Sequence, residues 1–342
     1  MKPWFRHLTV AFLSSTFLFA PVAQAGEEVN VYSASKEALI KPLLDRFTES
    51  TGVKVRLVTG KADALLARLR REGRNSPADL LVTTDAGRLW RAQQAGVLQP
   101  VASELLNQAI PARYRESENH WFGLSLRARP IVYSSERVKP EELSSYEDLA
   151  EPKWKGRICV RSSGNIYNQS LLASMIEAHG EEKVEGWAKG LVGNFARPPQ
   201  GGDRDQIKAV AAGQCDVALV NSYYYGKMLT SKDEAQRQAA AKTTIFWPNQ
   251  EDRGVHVNIS GAGVTAASKN RENAVRLLEY LVSDEAQAWY AETNQEYPVK
   301  AGVPASSLLE SWGDFKADPV KLDLLGINNP LAVRIADRAG WK

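Results

Sequence analysis

Four tyrosines stand where the sequence changes from a strand pattern to a helix pattern. Tyr223, Tyr224 and Tyr225 are consecutive in CDVALVNSYYYG, and Tyr167 follows the turn SSGN. Phenolate is a hard anionic oxygen ligand, so three phenolates suit a trivalent cation such as ferric iron better than zinc or copper, which prefer imidazole and thiolate. A free phenol has a pKa of about 10, so metal binding must displace protons and should weaken as pH falls. The alternative is an aromatic strand edge, because tyrosine is common in sheets.

The residues before the tyrosine run predict how its side chains are presented. The apolar run 217–220 predicts a buried strand, and Asn221 and Ser222 are favourable helix N-cap residues. On a continuing strand, Tyr223 and Tyr224 would point to opposite faces, whereas in a first helical turn they can converge on one atom. The positive end of a helix also favours an anionic phenolate. The SSGN turn gives the tyrosine that follows it the same setting.

Other candidate chemistry is sparse. Beyond the N-terminal segment the histidines are His120, His179 and His256, and no two of them have the spacing of metal ligands. The sequence contains neither a nucleophile elbow nor a phosphate-binding P-loop. An enzyme, such as a secreted hydrolase, is therefore the weaker alternative.

The first 25 residues have the pattern of a secretory signal peptide. Lys2 and Arg6 precede an apolar core that runs from Leu8 to about Phe19, and the segment ends in Ala-Gln-Ala at 23–25. We therefore expect cleavage after residue 25 and a periplasmic mature protein. Of the 342 residues 317 then remain, which suggests two domains.

The net charge gives no indication that the protein binds nucleic acid. Without Lys2 and Arg6, 41 of the 43 basic residues remain against 40 acidic ones, so the net charge is close to +1. A cluster of arginines between positions 68 and 74 has helical spacing beside Glu72, which is typical of a solvated helix face.

The chain has two cysteines, Cys159 and Cys215, each beside a strand-like segment. In an oxidising compartment a disulfide is the natural expectation, and adjacent strands in one sheet would bring the two together. The alternative is a pair of buried free thiols.

The mature chain begins with a regular alternation of strands and amphipathic helices between residues 29 and 96. This alternation predicts α/β architecture with a mostly parallel sheet, whose ligands bind at the carboxyl ends of the strands. The ends in question are residues 32–35 and 83–85, which we expect to form one lip of a cleft.

Two stretches predict crossings between domains. In residues 122–135 Pro130 interrupts an otherwise continuous strand pattern, and the alternation restarts after it. A return crossing is expected between Trp247 and Ser260. We therefore predict a signal peptide at 1–25, a discontinuous first lobe of residues 26–127 and 255–342, and a second lobe of residues 128–254.

Nearly the whole mature sequence resembles the periplasmic ferric-ion-binding proteins of bacterial ABC-type iron importers. The matching stretches, in order, are VYSASKEALIKPLLDRFTESTGVKV, SPADLLVTTD, WFGLSLRARPIVY, KGRICVRSSGNIYNQSLLASMI, RPPQGGDRDQIKAV, CDVALVNSYYYGKM, the NIS of HVNISG, and NQEYPVK. The resemblance implies a type II periplasmic-binding-protein fold, in which two α/β lobes are joined by two crossing strands and iron is held between them.

The same resemblance implies roles for individual residues. Tyr223, Tyr224 and Tyr167 match the iron ligands of the subgroup that uses three tyrosines. Tyr225 is then expected to pack or to support the ligands by hydrogen bonding, as are Asn221 and Ser163, without contacting the metal.

Departures from the family pattern concern the first lobe. Some relatives place a histidine or arginine after VYS and a glutamate near position 84, where this chain has Ser35 and Thr84. The first lobe is therefore expected to supply no protein ligand, and carbonate or another small anion to complete the coordination shell. Arg127, Arg129 and Lys36 are the candidate anchors for this anion; for the arginines, the alternative is a salt bridge in the hinge.

The function implied by the resemblance is capture of ferric iron and its delivery to an ABC-type permease in the inner membrane, by a monomer without catalysis. The alternative within binding proteins is another small solute, such as a polyamine, thiamine, a phosphonate or another oxyanion.

Overall fold

Two mixed sheets, each covered by helices, organise the chain. The structure, a computed structural model, describes Met1 and residues 27–342. Apart from its first methionine, the predicted signal peptide at 1–25 lies outside the described residues. No helix in the described part is long and apolar enough to cross a membrane.

The strands are β1 (Glu28–Ser33), β2 (Lys54–Thr59), β3 (Leu80–Thr84), β4 (Phe122–Ala128), β5 (Ile131–Ser134), β6 (Ile158–Cys159), β7 (Val217–Leu219), β8 (Thr243–Phe246), β9 (Val257–Val264) and β10 (Tyr297–Pro298). The helices are α1 (Glu37–Thr51), α2 (Ala62–Glu72), α3 (Ala86–Gln94), α4 (Glu104–Ala109), α5 (Ile166–His179), α6 (Glu181–Gly193), α7 (Asp203–Ala211), α8 (Ser222–Leu229), α9 (Glu234–Ala241), α10 (Arg271–Tyr280), α11 (Asp284–Trp289), α12 (Ser307–Glu310), α13 (Leu322–Ile327) and α14 (Asn329–Arg338). A π-helical turn, Tyr290–Asn294, follows α11 directly.

The first sheet has six strands in the order β10-β4-β9-β3-β1-β2. Strand β1 pairs in parallel with β2 and β3, but β9 is antiparallel to both β3 and β4. The prediction of a mostly parallel sheet is therefore wrong. The reason is that β4 carries the chain out of this sheet while β9 brings it back, so the two run in opposite directions.

The second sheet has four strands in the order β6-β7-β5-β8. Strand β6 pairs with β7 in parallel, and β5 pairs with β7 and β8 antiparallel. Cys159, at the end of β6, forms a disulfide with Cys215, two residues before β7, with 5.8 Å between the Cα atoms. The expected disulfide is confirmed. It fixes the two strands that lead to the tyrosine-bearing helices.

The chain crosses between the sheets at the two predicted places. Arg129 and Pro130 separate β4 of the first sheet from β5 of the second, and the return lies between β8 and β9. We use "first lobe" for the six-stranded sheet with α1–α4, α10 and α11, and "second lobe" for the four-stranded sheet with α5–α9. The lobe boundaries at residues 127 and 255 stay a prediction.

The C-terminal helices touch both lobes. Helix α13 contacts α3 and α5, and α14 contacts α5 and α6. The buried indole of Trp341 donates a hydrogen bond to the carbonyl of Arg161 at 3.1 Å, in the turn that precedes α5 and Tyr167. The end of the chain therefore supports the tyrosine-bearing part of the second lobe.

Candidate metal site

The tyrosine run lies at the start of α8, as the N-cap residues predict. Asn221 is the N-cap in an extended conformation, and Ser222 is the first helical residue. Tyr223 and Tyr224 therefore occupy the first turn, where their ring centroids lie 4.2 Å apart. The apolar run ends at Val220, and the helix begins directly after Asn221, whose side chain accepts a hydrogen bond from Arg129 and not from the helix backbone.

Tyr167 lies in the first turn of α5. The Asn165 side chain caps this helix by accepting a hydrogen bond from the Tyr167 backbone amide at 3.0 Å. The Tyr223 hydroxyl donates to the Tyr167 hydroxyl at 3.1 Å, although the two residues are 56 positions apart. The structure thus brings the three predicted ligands together at two helix N-termini, where the helix dipoles favour negative charge.

In the metal-free protein the phenols of Tyr223 and Tyr224 hold their protons tightly. Burial raises the pKa of Tyr223 well above its ordinary value, and negative charge on Tyr167 or Tyr224 would raise it further. Burial, followed by the charges of Tyr167 and Asp203, raises the pKa of Tyr224 to about 12. Neighbouring phenols that repel one another as anions need a multiply charged cation to become phenolates together.

Tyr225 lies apart from the other three tyrosines. Its hydroxyl donates to the Thr243 carbonyl at 2.8 Å, and its ring packs against Trp312 with the centroids 5.6 Å apart. It does not line the cleft. This position agrees with the packing role expected for it.

The cleft between the lobes contains a cavity of about 310 Å³. Its second-lobe wall carries the three candidate ligands, and its first-lobe wall includes the predicted strand ends, among them Ser35 and Thr84. A water molecule occupies about 30 Å³ of liquid volume, so the cavity holds far more than a bare ion. It has room for a metal ion together with a polyatomic anion.

Three cationic side chains line the cavity: Lys36 from the first lobe, and Arg204 and Lys227 from the second. The Arg204 guanidinium lies 5.8 Å from the Tyr224 ring centroid, and the Lys227 ammonium lies 5.4 Å from that of Tyr223. Burial lowers the pKa of Lys227, with Glu296 opposing this effect and Arg204 and Lys36 adding to it.

Of these cations, the sequence indicated only Lys36. Lys227 follows Tyr223 by four residues, a helical spacing that places two side chains on one face and offered a usable signal. Arg204 lies in the stretch PPQGGDRDQ, whose composition predicts a loop, but α7 already begins at Asp203.

The arginines Arg127 and Arg129 lie behind the tyrosines rather than in the cavity. They line a small polar space together with Tyr167, Asn221 and His256, among others. Each forms a buried ion pair at 3.5 Å, Arg127 with Asp85 and Arg129 with Asp203. These are the salt bridges of the alternative interpretation, and they lie at the crossing between the lobes.

The two arginines differ in their hydrogen bonds. Arg129 donates to Asn221 Oδ1 at 2.8 Å and to Asn168 Oδ1 at 2.5 Å. By contrast, Nη1 and Nη2 of Arg127 donate to no residue that the structure describes, and its guanidinium lies 5.4 Å from the Tyr167 ring centroid. Of the two hinge arginines, Arg127 is thus the one whose terminal nitrogens make no hydrogen bond to a described residue, and it lies beside a candidate ligand.

The two other predicted supporting residues contact groups behind the ligands. Asn221 accepts the hydrogen bond from Arg129, and its backbone amide donates to Asp203 at 2.7 Å. Ser163 donates to the backbone carbonyl of Trp341 and does not line the cavity. Asn221 therefore stabilises the start of α8, whereas Ser163 connects the turn before α5 to the end of the chain.

One carboxylate also lines the cavity, and sequence reasoning missed it. Glu296, 7% exposed, lies in the first-lobe wall beside Ser125 and Ser260. It belongs to the NQEYPVK stretch, whose sequence carries no local sign that one of its side chains faces the tyrosines.

A second group of metal-ligating side chains, Glu116, Glu118 and His120, lies outside the cleft. The Glu116 carboxylate already accepts hydrogen bonds from the backbone amides of Glu118 and His120 at 2.9 and 3.0 Å. It serves to close its own turn.

Comparison with known proteins agrees with this geometry. The family model described as bacterial extracellular solute-binding protein matches residues 75–315, more than half of the chain. The chain is 52% identical over 326 residues to iron uptake protein A1 of Synechocystis sp., covering 94% of this chain and 91% of that protein.

Solved structures show the same fold. The Trichodesmium protein IdiA (FutA), in complex with iron and citrate ligands, matches with a TM-score of 0.90 and 54% identity over 92% of this chain and 100% of that one. Ferric iron-binding protein A of Mannheimia haemolytica, in an open conformation, matches with a TM-score of 0.86 and 46% identity over 92% and 99%. The predicted type II periplasmic-binding-protein fold is confirmed. The chain belongs to the bacterial extracellular solute-binding proteins and groups there with the iron uptake and ferric-iron-binding members.

Proposed function

We propose that this protein captures ferric iron in the periplasm and delivers it to an ABC-type permease of the inner membrane, as a monomer and without catalysis. The observation that supports this function best is the convergence of Tyr167, Tyr223 and Tyr224 on one cavity at two helix N-termini. The iron-binding names of the relatives favour the same cargo.

Binding exchanges protons for metal. The three phenol oxygens each give up a proton and together supply three negative charges, which balance one ferric ion. The cations near their rings favour the phenolate form, since a positive charge nearby stabilises an anion. Closure of the first lobe over the cavity then shields the ion from water, and the closed form is the one that the permease recognises.

A small anion completes the coordination shell in this proposal. Once the phenolates have balanced the ferric ion, the positive charges of Lys36, Arg204 and Lys227 still face the same cavity. A carbonate or another small anion would satisfy both the open iron positions and these cations. Arg127, with free donors behind Tyr167, and Arg129 remain candidates for holding it from the hinge side.

The other solutes fit the cavity less well. A polyamine or thiamine is itself a cation, and the three cationic side chains that line this cavity would repel it. A phosphonate would suit those cations but would leave the gathered phenols unused.

The test is spectroscopic. Loading the full-length mature protein with ferric nitrilotriacetate should produce a visible phenolate-to-iron charge-transfer band. Tyr223→Phe should clearly weaken the band, since one of three phenolates is lost, and should weaken iron binding by more than about 100-fold, because even outer-shell changes cost roughly 10–100-fold in metal affinity.

Tyr225→Phe is the matched control, because it removes the neighbouring hydroxyl, which bonds to the Thr243 carbonyl instead of facing the cavity. This variant should keep the band and the affinity. A wild-type protein that stays colourless with ferric iron would rule out the proposed function.

A further inference from the structure

The Glu296 carboxylate is held so that one of its oxygens is committed and the other is free. Oε2 accepts hydrogen bonds from the hydroxyls of Ser125 and Ser260, the latter at 2.9 Å. Oε1 accepts a hydrogen bond from no residue that the structure describes, although the side chain is only 7% exposed and lines the cavity. Oε1 does not belong to the fully buried atoms that lack a partner, so it is open to the cavity and available to a ligand.

The backbone before Glu296 has an unusual conformation that aims this side chain. The π-helical turn Tyr290–Asn294 ends at Gln295, which takes a left-handed conformation with φ of 56°. A non-glycine residue in this region is strained, and π-turns are frequent at functional sites. The segment presses against the tyrosine helix, since a Cβ added to Gly226 of α8 would lie 3.0 Å from the Gln295 Cβ.

The neighbouring side chains also have unpaired polar atoms. The Tyr290 hydroxyl, the Asn294 Oδ1 and the Gln295 Oε1 are all buried without a hydrogen-bond partner among the described residues. Tyr290 and Asn294 line the same cavity as Glu296. The polar atoms of this turn are therefore not satisfied within the described part of the protein itself.

From these contacts we propose that Glu296 supplies a first-lobe oxygen ligand to the metal, through Oε1, opposite the three tyrosines. The inference rests on the proposed function and changes one expectation, namely that the first lobe offers no protein ligand. A carboxylate is a hard oxygen donor, as a ferric ion requires. No proton or electron moves in this step: one Oε1 lone pair forms the bond to iron in place of a water molecule.

A first-lobe ligand would also explain how the metal favours closure. A metal that bound only the second-lobe tyrosines would make no direct contact that stabilises the closed form. With Glu296 in the shell, the metal itself bridges the lobes and stabilises the closed form. The hydrogen bonds from Ser125 on β4 and Ser260 on β9 extend this bridge to the crossing strands.

The test compares Glu296→Gln with Glu292→Gln in the full-length mature protein loaded with ferric nitrilotriacetate. Glu292 lies in the same turn but is exposed and does not line the cavity. For Glu296→Gln we expect at least about tenfold weaker iron binding in citrate competition. The charge-transfer band should move to longer wavelength and the reduction potential of the iron should rise, because iron that loses an anionic donor becomes more electron-poor. Glu292→Gln should leave all three quantities unchanged.

Glu296→Asp separates a ligand from a structural support, since it keeps the charge but shortens the side chain by one methylene. Weaker binding with a moved band supports the ligand role. Wild-type binding and an unmoved band in Glu296→Asp, or in a folded Glu296→Gln, overturn the inference. In that case a tyrosine-dependent band in the wild type leaves the proposed function standing, whereas loss of all iron binding by the wild type removes both.

Discussion

The two walls of the cleft are built in different ways. The second-lobe wall takes its candidate ligands from two helix N-termini, with Asn165 and Asn221 at the N-cap positions, each two residues before a tyrosine. The first-lobe wall is assembled from strand ends and from the turn before Glu296, which lie more than 200 residues apart in the chain. A wall whose ligands follow N-cap residues can be predicted from the local sequence. A wall assembled from distant segments cannot, because its residues meet only in the folded lobe.

The walls also differ in charge. The tyrosine wall carries the cations Arg204 and Lys227 and gains negative charge only when metal displaces phenol protons, whereas the opposite wall carries Lys36 and Glu296, one group of each sign. We therefore expect changes of pH to act mainly through the second lobe and changes of packing to act where the lobes meet. Three measurements address this difference.

The largest effect should come from pH. The pKa values of Tyr223 and Tyr224 are raised in the metal-free protein, so both phenols carry protons at neutral pH and iron must displace them. Binding should thus weaken by about 100-fold or more for each unit by which pH falls, one tenfold step for each displaced proton. Competition with a chelator of known protonation between about pH 6 and 8 measures this slope. Tyr223→Phe should reduce the slope by about one proton, and a slope below one proton in the wild type would contradict the tyrosine wall.

A smaller effect should follow from removal of a cation on the tyrosine wall. Arg204→Gln takes away the guanidinium 5.8 Å from the Tyr224 ring and with it an attraction for both phenolate and anion. We expect iron affinity to fall about tenfold, equivalent to about 1.4 kcal/mol. The measurement is a ferric titration with and without bicarbonate. Lys208→Gln, an exposed lysine on the same helix, is the control, and equal losses in both variants would show that only net charge matters.

The smallest effect should appear where the walls touch. In Gly226→Ala the new Cβ would lie 3.0 Å from the Gln295 Cβ and 3.1 Å from the Trp312 ring, so it should hinder closure and weaken iron binding a few-fold. Alanine is favoured over glycine within a helix by about 1 kcal/mol, which should offset much of the steric cost in the metal-free protein and leave its stability little changed. Thermal denaturation and ferric titration measure the two outcomes.

Gly186→Ala in α6 provides the same helical substitution with no atom within 4 Å of the new Cβ. It should stabilise the protein and leave iron binding unchanged. If Gly226→Ala behaves in the same way, the contact between the walls has no influence on binding.

The parts that could be predicted from the sequence are those encoded by neighbouring residues. Capping residues placed Tyr167 and Tyr223 on helix N-termini, and Pro130 marked the crossing out of the first sheet. The direction of β9 could not be read in this way, because it follows from the return of the chain. Nor could the pairing of Arg129 with Asp203, since a contact across 74 residues leaves no local pattern.

The disulfide between Cys159 and Cys215 links the two segments that carry the candidate ligands. Tyr167 follows Cys159 by eight residues, and Tyr223 follows Cys215 by the same number, so the bond joins two spacers of equal length. Cross-linking them removes conformational freedom from the two segments that must bring their phenols to one point. We therefore expect that reduction of the disulfide would loosen the arrangement of the three tyrosines and weaken metal capture.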